Sequence, residues 1–204
     1  MKKLIFILFL FISISTFAQK RFRAGVKLGI STSQVDGDTY GGYHKAGIAG
    51  GIFVTGKLSE KWTAQLEMMY IQKGAKHTGD RDNGDYSFYM AQLNYLEVPV
   101  LFQYHQKKFA IEVGASFGYL MNEHEYTDFA DLTGVRPHNK TDGDYNLGIS
   151  YAIIKNLNLN WRYSYSFISI RDYVSGAKRW YNPGERNNVL AFSLTYTFGS
   201  GNEE

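Results

Sequence analysis

The 204-residue chain contains no cysteine and only three prolines. The absence of cysteine excludes disulfide bridges, thiol catalysis and cysteine-based metal sites. Proline removes a backbone donor and interrupts helices and sheets, so its scarcity leaves long stretches free to form regular structure. The folded chain must therefore be stabilised by its own packing and hydrogen bonds.

The chain also lacks a hydrophobic run long enough for a transmembrane helix. The N-terminal run, residues 4–14, has about eleven apolar residues, whereas a spanning helix needs roughly twenty. Two lysines precede this run and Ala18 follows it, which predicts a secretory signal peptide over residues 1–18. A retained anchor is the alternative. The longest later run, residues 96–102, contains Glu97 and Pro99, so a mature chain that enters a membrane must do so as strands.

The chain also lacks a large excess of charge of one sign, and it lacks a recognisable set of catalytic residues. The formal net charge is +3 and two of the lysines belong to the signal peptide, so the mature chain is nearly neutral and nucleic acid is not an expected partner. The chain has no serine–histidine–aspartate order and no glycine-rich phosphate loop, and we predict that it is not an enzyme. We also predict no cofactor and no metal site, because the histidines lack ligand-like spacing. They are His44, His77, His105, His124 and His138.

What the chain has in abundance is alternation of apolar and polar residues. In residues 157–167, leucine and aromatic side chains alternate with asparagine, arginine and serine. Because strand side chains point alternately to opposite faces, this segment predicts a strand with one apolar and one polar face. Seven other segments show related patterns. The eight predicted strands are 24–33, 45–57, 62–74, 91–105, 109–121, 144–154, 157–170 and 188–198.

The connections between these strands alternate in length. Those after strands two, four and six are tight, at 58–61, 106–108 and 155–156. Those after strands one, three, five and seven are long and polar, such as 75–90, 122–143 and 171–187. This layout predicts an all-β fold, an eight-stranded antiparallel up-and-down transmembrane β-barrel with short periplasmic turns and long external loops. The barrel domain covers residues 19–198, and residues 199–204 form a short C-terminal tail.

The fourth predicted strand contains two irregular features. Pro99 cannot donate a ladder hydrogen bond, and a closed barrel has no edge strand to place it in. Leu93 and Tyr95 are apolar in one phase of the alternation, whereas Leu96 and Val98 are apolar in the other. A β-bulge near Tyr95 to Pro99 would explain both features.

Several segments resemble the PorT-like outer-membrane β-barrel family, often described as porin family proteins. They are Gly25-Val-Lys-Leu-Gly29, Leu66-Glu-Met-Met-Tyr70, Gln72-Lys-Gly74, Asn94-Tyr-Leu-Glu-Val-Pro-Val100, Glu112-Val-Gly114 and Asn187-Asn-Val189. The resemblance implies a barrel in the cell outer membrane with its loops facing outward, and no defined activity. It also implies contact with outer-membrane lipids, including lipopolysaccharide, and with the barrel-assembly machinery during biogenesis. A secretion-system or envelope protein would be a further partner.

Inside such a barrel, the polar faces of the strands place charged residues together. The interior is about wide enough for its own side chains, and an unpaired buried ion is costly, so we predict a structural network of paired charges that fills the lumen. A proton path or a catalytic carboxylate pair is the alternative. The predicted network comprises Lys27, Glu67, Glu97, Glu112 and Arg162.

Two external loops carry candidate binding residues. In loop 171–187, cations and aromatic side chains together could contact lipid phosphates or a ligand, although an ordinary interfacial rim has the same composition. These candidates are Arg171, Tyr173, Lys178, Arg179, Trp180, Tyr181 and Arg186. Asp80, Asp82 and Asp85 hint at a calcium loop, but the spacing departs from the EF-hand pattern and favours a solvated turn.

Alternation alone does not decide which face of the barrel is outside. The main alternative is a secreted soluble eight-stranded barrel that holds an apolar ligand, as lipocalins do. The aromatic bulk of the apolar faces exceeds what so small a lumen can hold, which favours the membrane fold. A third possibility is that the barrel forms a small conducting pore.

Overall fold

The computed structural model describes residues 22–172 and 184–199 of the chain. The predicted signal peptide, residues 173–183 and most of the predicted tail lie outside the described residues. None of the helical segments in the described ranges is long and apolar enough to cross a membrane. The eight strands are β1 Phe22–Asp36, β2 Lys45–Lys57, β3 Trp62–Thr78, β4 Phe88–Gln106, β5 Phe109–Thr127, β6 Thr141–Ile154, β7 Leu157–Ser166 and β8 Arg186–Thr197.

The strands form one closed ring in sequence order. Each pairs antiparallel with its neighbours, and β1 closes the ring by pairing with β8, where Val26 lies opposite Tyr196. Closure satisfies the backbone groups that an open sheet would leave at its edges, which a membrane-spanning sheet requires. The predicted fold class is confirmed.

The outer face of the ring is apolar. Leu28, Ile30 and Tyr145 have more than half of their surface exposed, as do many other outward side chains. Aromatic pairs form a belt near the short turns, with ring centroids 5.1 Å apart for Trp62 and Tyr104. Such belts occur where a barrel wall crosses the membrane–water interface.

Strands β3, β4 and β5 are longer than the sequence predicts. They span 17, 19 and 19 residues, compared with 10 for β7 and 12 for β8. The ladder between β3 and β4 continues to the pair Thr78 and Phe88, so loop 75–90 is shorter than predicted. The extra length forms a wall on the long-loop side. The alternation of apolar and polar residues is weaker in these extensions, because both faces of a strand can contact water where it extends beyond the membrane.

The predicted irregularity lies on a neighbouring strand. β4 keeps one phase throughout, because Leu93 and Tyr95 are fully buried in the lumen and Glu97 follows them inward. The predicted phase slip in this strand is therefore wrong. The register shift lies next to Tyr95 but inserts its extra residue, Met121, into β5. Pro99 faces inward at a point where the ladder between β3 and β4 is interrupted, so no β3 acceptor depends on its missing N–H.

The upper half of the lumen holds an apolar cluster that the sequence did not predict. Leu93, Tyr95 and Leu120 are at most 1% exposed and pack in this cluster with side chains from β1, β3 and β8. The lumen is therefore filled by apolar side chains as well as by ions. The other members are Val35, Ala49, Met69, Ile71, Ala75, Ile170 and Val189.

Candidate functional site: charge layers in the lumen

The lower charge layer is centred on Arg162. This residue lies on β7, and its guanidinium reaches across the lumen to Glu67 on β3. Two hydrogen bonds join them, from Nη1 to Oε2 at 2.7 Å and from Nη2 to Oε1 at 2.8 Å. The Nε–H of Arg162 donates to Glu112 on β5 at 2.7 Å. One guanidinium thus connects three strands in the fork geometry that favours strong ion pairs.

Polar neighbours complete this layer. Lys27 Nζ donates to Glu67 Oε1 at 3.3 Å. Gln65 donates to the same oxygen of Glu67, and Gln103 donates to Glu112 Oε2 at 3.2 Å. Two cations and two carboxylates therefore balance in formal charge, and buried ions that are balanced and hydrogen-bonded avoid the main penalty of burial.

The middle layer is built around Lys73, whose side chain is fully buried. Its ammonium lies 2.5 Å from Glu97 Oε1, 2.7 Å from Asp144 Oδ2 and 3.0 Å from Asp142 Oδ2. The ring of Tyr95 lies beside it, with the nitrogen 5.1 Å from the ring centroid. Lys73 is the only cation within contact of these three carboxylates among the described residues.

The three carboxylates of the middle layer lie close enough together to share a metal ion. The ammonium of Lys73 stands where such a cation would sit. Hydroxyl and amide groups also donate to these carboxylates, including Ser166 to Asp144 and Asn187 to Asp142. The arrangement therefore serves as an ion-paired plug, and a metal would have to displace Lys73.

The upper layer lies at the long-loop end of the barrel, between the outer parts of β4 and β5 and the residues that follow β7 and precede β8. Arg171 binds both carboxylate oxygens of Glu125, and its Nη1 lies 3.6 Å from Glu185. Tyr89 donates to Glu125 at 2.7 Å. The backbone of Arg171 also pairs with that of Glu185, which ties this residue to the segment that enters β8. The upper layer thus joins β4, β5 and the segment before β8 at the external end of the barrel.

His138 joins the upper layer from the loop between β5 and β6. Its Nδ1 lies 2.6 Å from Glu123 Oε2 and 2.9 Å from Arg171 Nη2. Burial and the adjacent Arg171 lower the pKa of His138. The imidazole is therefore held neutral near pH 7, where Nδ1 serves either as a donor to Glu123 or as an acceptor from Arg171.

The structure brings together four of the five predicted lumen residues. Lys27, Glu67, Glu112 and Arg162 form the lower layer, whereas Glu97 lies higher and pairs with Lys73. Sequence reasoning missed Lys73, although it follows Glu67 in the inward phase of β3.

Two of the predicted external-loop residues lie within the described ranges. Arg171 is 6% exposed and lies in the upper layer, and Arg186 is half-buried at the start of β8. Five others lie outside the described residues: Tyr173, Lys178, Arg179, Trp180 and Tyr181.

The aspartates of the suggested calcium loop have local roles. Asp80 accepts hydrogen bonds from the backbone of Asp82 and the side chain of Asn83. Asp85 accepts two from Ser87 and contacts His77. The carboxylates of Asp80 and Asp85 thus organise the turn between β3 and β4.

Comparison with known proteins places this barrel in a family. The profile of the outer membrane protein beta-barrel domain matches residues 17–172. The chain belongs to this family. Its localisation is accordingly the cell outer membrane. Comparison with curated proteins finds no matching sequence.

Solved structures of outer-membrane barrels share the fold. Neisserial surface protein A has a TM-score of 0.54 and 13% identity, over 86% of this chain and 97% of that one. Ail, the attachment invasion locus protein of Yersinia pestis, has a TM-score of 0.52 and 13% identity, over 87% and 99%. At these identities the likeness shows the fold alone. Together with the apolar outer face, it does not favour the soluble lipocalin-like alternative.

Proposed function

We propose that this protein is a non-conducting, non-enzymatic outer-membrane barrel of the PorT-like type, whose specific role is carried by its external loops or by a partner. The observation that carries this proposal is the contact of Arg162 with Glu67 across the lumen. It places an ion pair in the path that a permeating ion would have to take.

Two further obstructions support the non-conducting role. Lys73 and its carboxylates lie above the lower layer, and Arg171 pairs with Glu125 at the external end. An eight-stranded barrel has little room beyond its own side chains. An ion that passed through would have to break all three layers in turn.

The non-enzymatic role is supported by the geometry of an external cluster, within the described part of the chain, that contains a serine, a histidine and an aspartate. Ser87 Oγ donates to Asp85 Oδ1 at 2.6 Å, while His77 Nε2 lies 2.7 Å from the other oxygen of Asp85. In a catalytic triad the histidine lies between the other two and accepts the serine proton. Here the aspartate lies between them, so the histidine does not contact the serine and the order of a catalytic triad is absent from this cluster.

The external role is supported by the wall formed by β3, β4 and β5. Its loops expose large apolar side chains: Phe129 is 94% exposed and Tyr86 is 73% exposed. Aromatic side chains are enriched in the buried cores of protein interfaces, so these two are suited to contact a partner. They lie on the outward side, where a partner could reach them.

The PorT-like assignment is supported by the segment 94–100. Its Tyr95, Glu97 and Pro99 are buried on the inward face of β4, and Asn94 is buried on the other face, where its side chain donates to Asn122. Tyr95 and Glu97 both contact Lys73. The residues that carry the resemblance are therefore those that pack the plug.

Planar-bilayer recording of the purified mature protein tests the non-conducting role. We expect no stepwise current from the wild type. Arg162→Ala shortens the side chain that spans the lumen. The current recorded from this variant is compared with that of the wild type to detect ion leakage through the lumen. Regular single-channel steps from the wild type would overturn this part of the proposal.

Site-specific photo-crosslinking in intact cells tests the external role. We expect protein adducts from a crosslinker at Phe129 or Tyr86. The matched control is Phe117, which is 56% exposed on the outer barrel face and should react only with lipid. The external role is refuted if neither loop position gives an adduct that the control lacks.

A further inference from the structure

The short-turn end of the barrel contains a cavity that the three charge layers leave open. Its volume is about 410 Å³. Lys27, Gln65, Gln103 and Glu112 form part of its lining where it meets the lower layer. Short turns face the periplasm in outer-membrane barrels, so we call this cavity the periplasmic vestibule.

Cations dominate the lining of the periplasmic vestibule. Six cationic side chains line it, against two carboxylates, Glu60 and Glu112. Glu112 already accepts a hydrogen bond from Arg162. Three lysines of the mouth belong to the short connections that follow β4 and β6, and Lys57 ends β2 beside the remaining short connection; the three are Lys107, Lys108 and Lys155. A concave surface of one charge sign between low-dielectric walls concentrates its field and attracts ligands of the opposite sign.

The turn between β4 and β5 holds two of these lysines at a conformational cost. Lys107 has a φ of 55° and is the only non-glycine residue with positive φ in the described ranges. Glycine or asparagine adopts this conformation more easily than lysine does. The two-residue loop between Gln106 and Phe109 accounts for this conformation, and the lysine that adopts it lines the vestibule.

Lys27 places a cation at the inner end of the vestibule. It is 3% exposed, and its hydrogen-bond acceptor among the described residues is Glu67 Oε1, at 3.3 Å. An ammonium has three donors, so this one contact leaves donors for a ligand.

We propose that the periplasmic vestibule binds an acidic peptide segment of a periplasmic protein, with the turn lysines holding its carboxylates and Lys27 receiving the deepest one. The volume is several times that of a single phosphate or carboxylate. Amide and hydroxyl side chains in the lining, such as Asn158 and Thr195, can pair with peptide N–H and C=O groups. This site lies at the opposite end from the external loops and goes beyond the role proposed for them.

Fluorescence anisotropy with the full mature protein in nanodiscs tests the proposal. The probe is a fluorescein-labelled tetraglutamate peptide, and a tetraglutamine peptide is its uncharged counterpart. We expect the tetraglutamate to bind more tightly, and added salt to weaken it by screening. The double variant Lys107→Glu and Lys108→Glu should weaken binding at least about tenfold, because each substitution replaces an attraction with a repulsion.

Lys140→Glu provides the matched control because Lys140 is exposed at the external end. This variant should bind tetraglutamate as the wild type does. Equal binding of the two peptides, or equal weakening in the control, would overturn the proposal. Displacement of the peptide by inorganic phosphate at equal total charge would show a simple anion site and would also overturn it. The turn lysines are exposed, so their replacement leaves the barrel folded, as the heat-dependent gel mobility of the variant can verify.

Discussion

Arg162 and Glu67 lie on opposite walls of the barrel, yet the guanidinium and carboxylate meet through two hydrogen bonds of 2.7 and 2.8 Å. Their strands, β7 and β3, are four places apart in a ring of eight. The contact therefore ties together the two most distant walls. It makes this level of the lumen part of the folded core.

Replacement of Arg162 by methionine should destabilise the barrel strongly. Glu67 and Glu112 would remain buried without their main cation, which costs about 3–5 kcal/mol when one partner of a buried pair is removed. Urea unfolding of the protein in lipid vesicles measures the loss. Adding Glu67→Gln and Glu112→Gln to the same variant should recover much of it, because no uncompensated charge remains. A triple variant no more stable than Arg162→Met would contradict the ion-pair explanation.

Replacement of Lys73 by methionine should make folding depend on pH. Three buried carboxylates would then face one another without a cation, so the variant should fold poorly at mildly alkaline pH. It should fold better as acid protonates them and removes their repulsion. The folded fraction can be read from heat-dependent mobility on gels. The control is Lys76→Met, further along the same strand, whose folding should not depend on pH in this way. If the folding of the Lys73 variant shows no more pH dependence than that of the control, Lys73 does not neutralise the three carboxylates.

Replacement of Leu93 by alanine tests the apolar cluster of the upper lumen. Leu93 is fully buried, so its truncation leaves a cavity and should cost about 2–5 kcal/mol. Leu96→Ala is the matched control on the same strand. Its side chain is 39% exposed on the outer face, where lipid can fill the space, and it should cost less. Equal losses in urea unfolding would argue against a packed lumen.

Asp38, in the loop between β1 and β2, should titrate far above an ordinary aspartate. Burial raises its pKa to about 7, and Glu185 and Asp36 add repulsion. The folded state thus favours the protonated form, so Asp38 contributes stability below about pH 4 that is lost as pH rises towards 7.

Carboxyl-detected NMR titration of the protein in micelles measures the Asp38 midpoint. Asp131 serves as an internal reference, because hydrogen bonds from Thr133 lower its pKa. In Asp38→Asn the loop should lose this part of its pH dependence. A midpoint for Asp38 near that of Asp131 would contradict the prediction.

The members of the lower charge layer could be grouped from the sequence because they follow the simple alternation of their strands. Glu67 and Arg162 each lie between apolar neighbours in the middle of a strand, where lipid outside and water-free packing inside enforce the pattern. The upper part was harder to predict. Leu93 and Tyr95 are apolar yet face inward, so composition suggested a change of phase where none exists in β4.

The middle and upper layers depend on contacts that no local pattern reveals. Lys73 meets Asp142 and Asp144 from β6, about seventy positions away along the chain. Arg171 was grouped with an exposed loop, but the fold turns it onto Glu125. The partners of such ions depend on the stagger of the strands, which sequence alternation does not specify.

The sequence by itself determined the number of strands, the apolar outer surface, and which end of the barrel has the short connections. The first two follow from the period of two along each strand, and the third follows from the lengths of the loops. Only the tertiary structure decided which ions meet, that an apolar cluster shares the lumen, and that lysines gather at the periplasmic mouth. These features arise from ring closure, which brings side chains from distant strands within bonding distance, and no single strand contains that information.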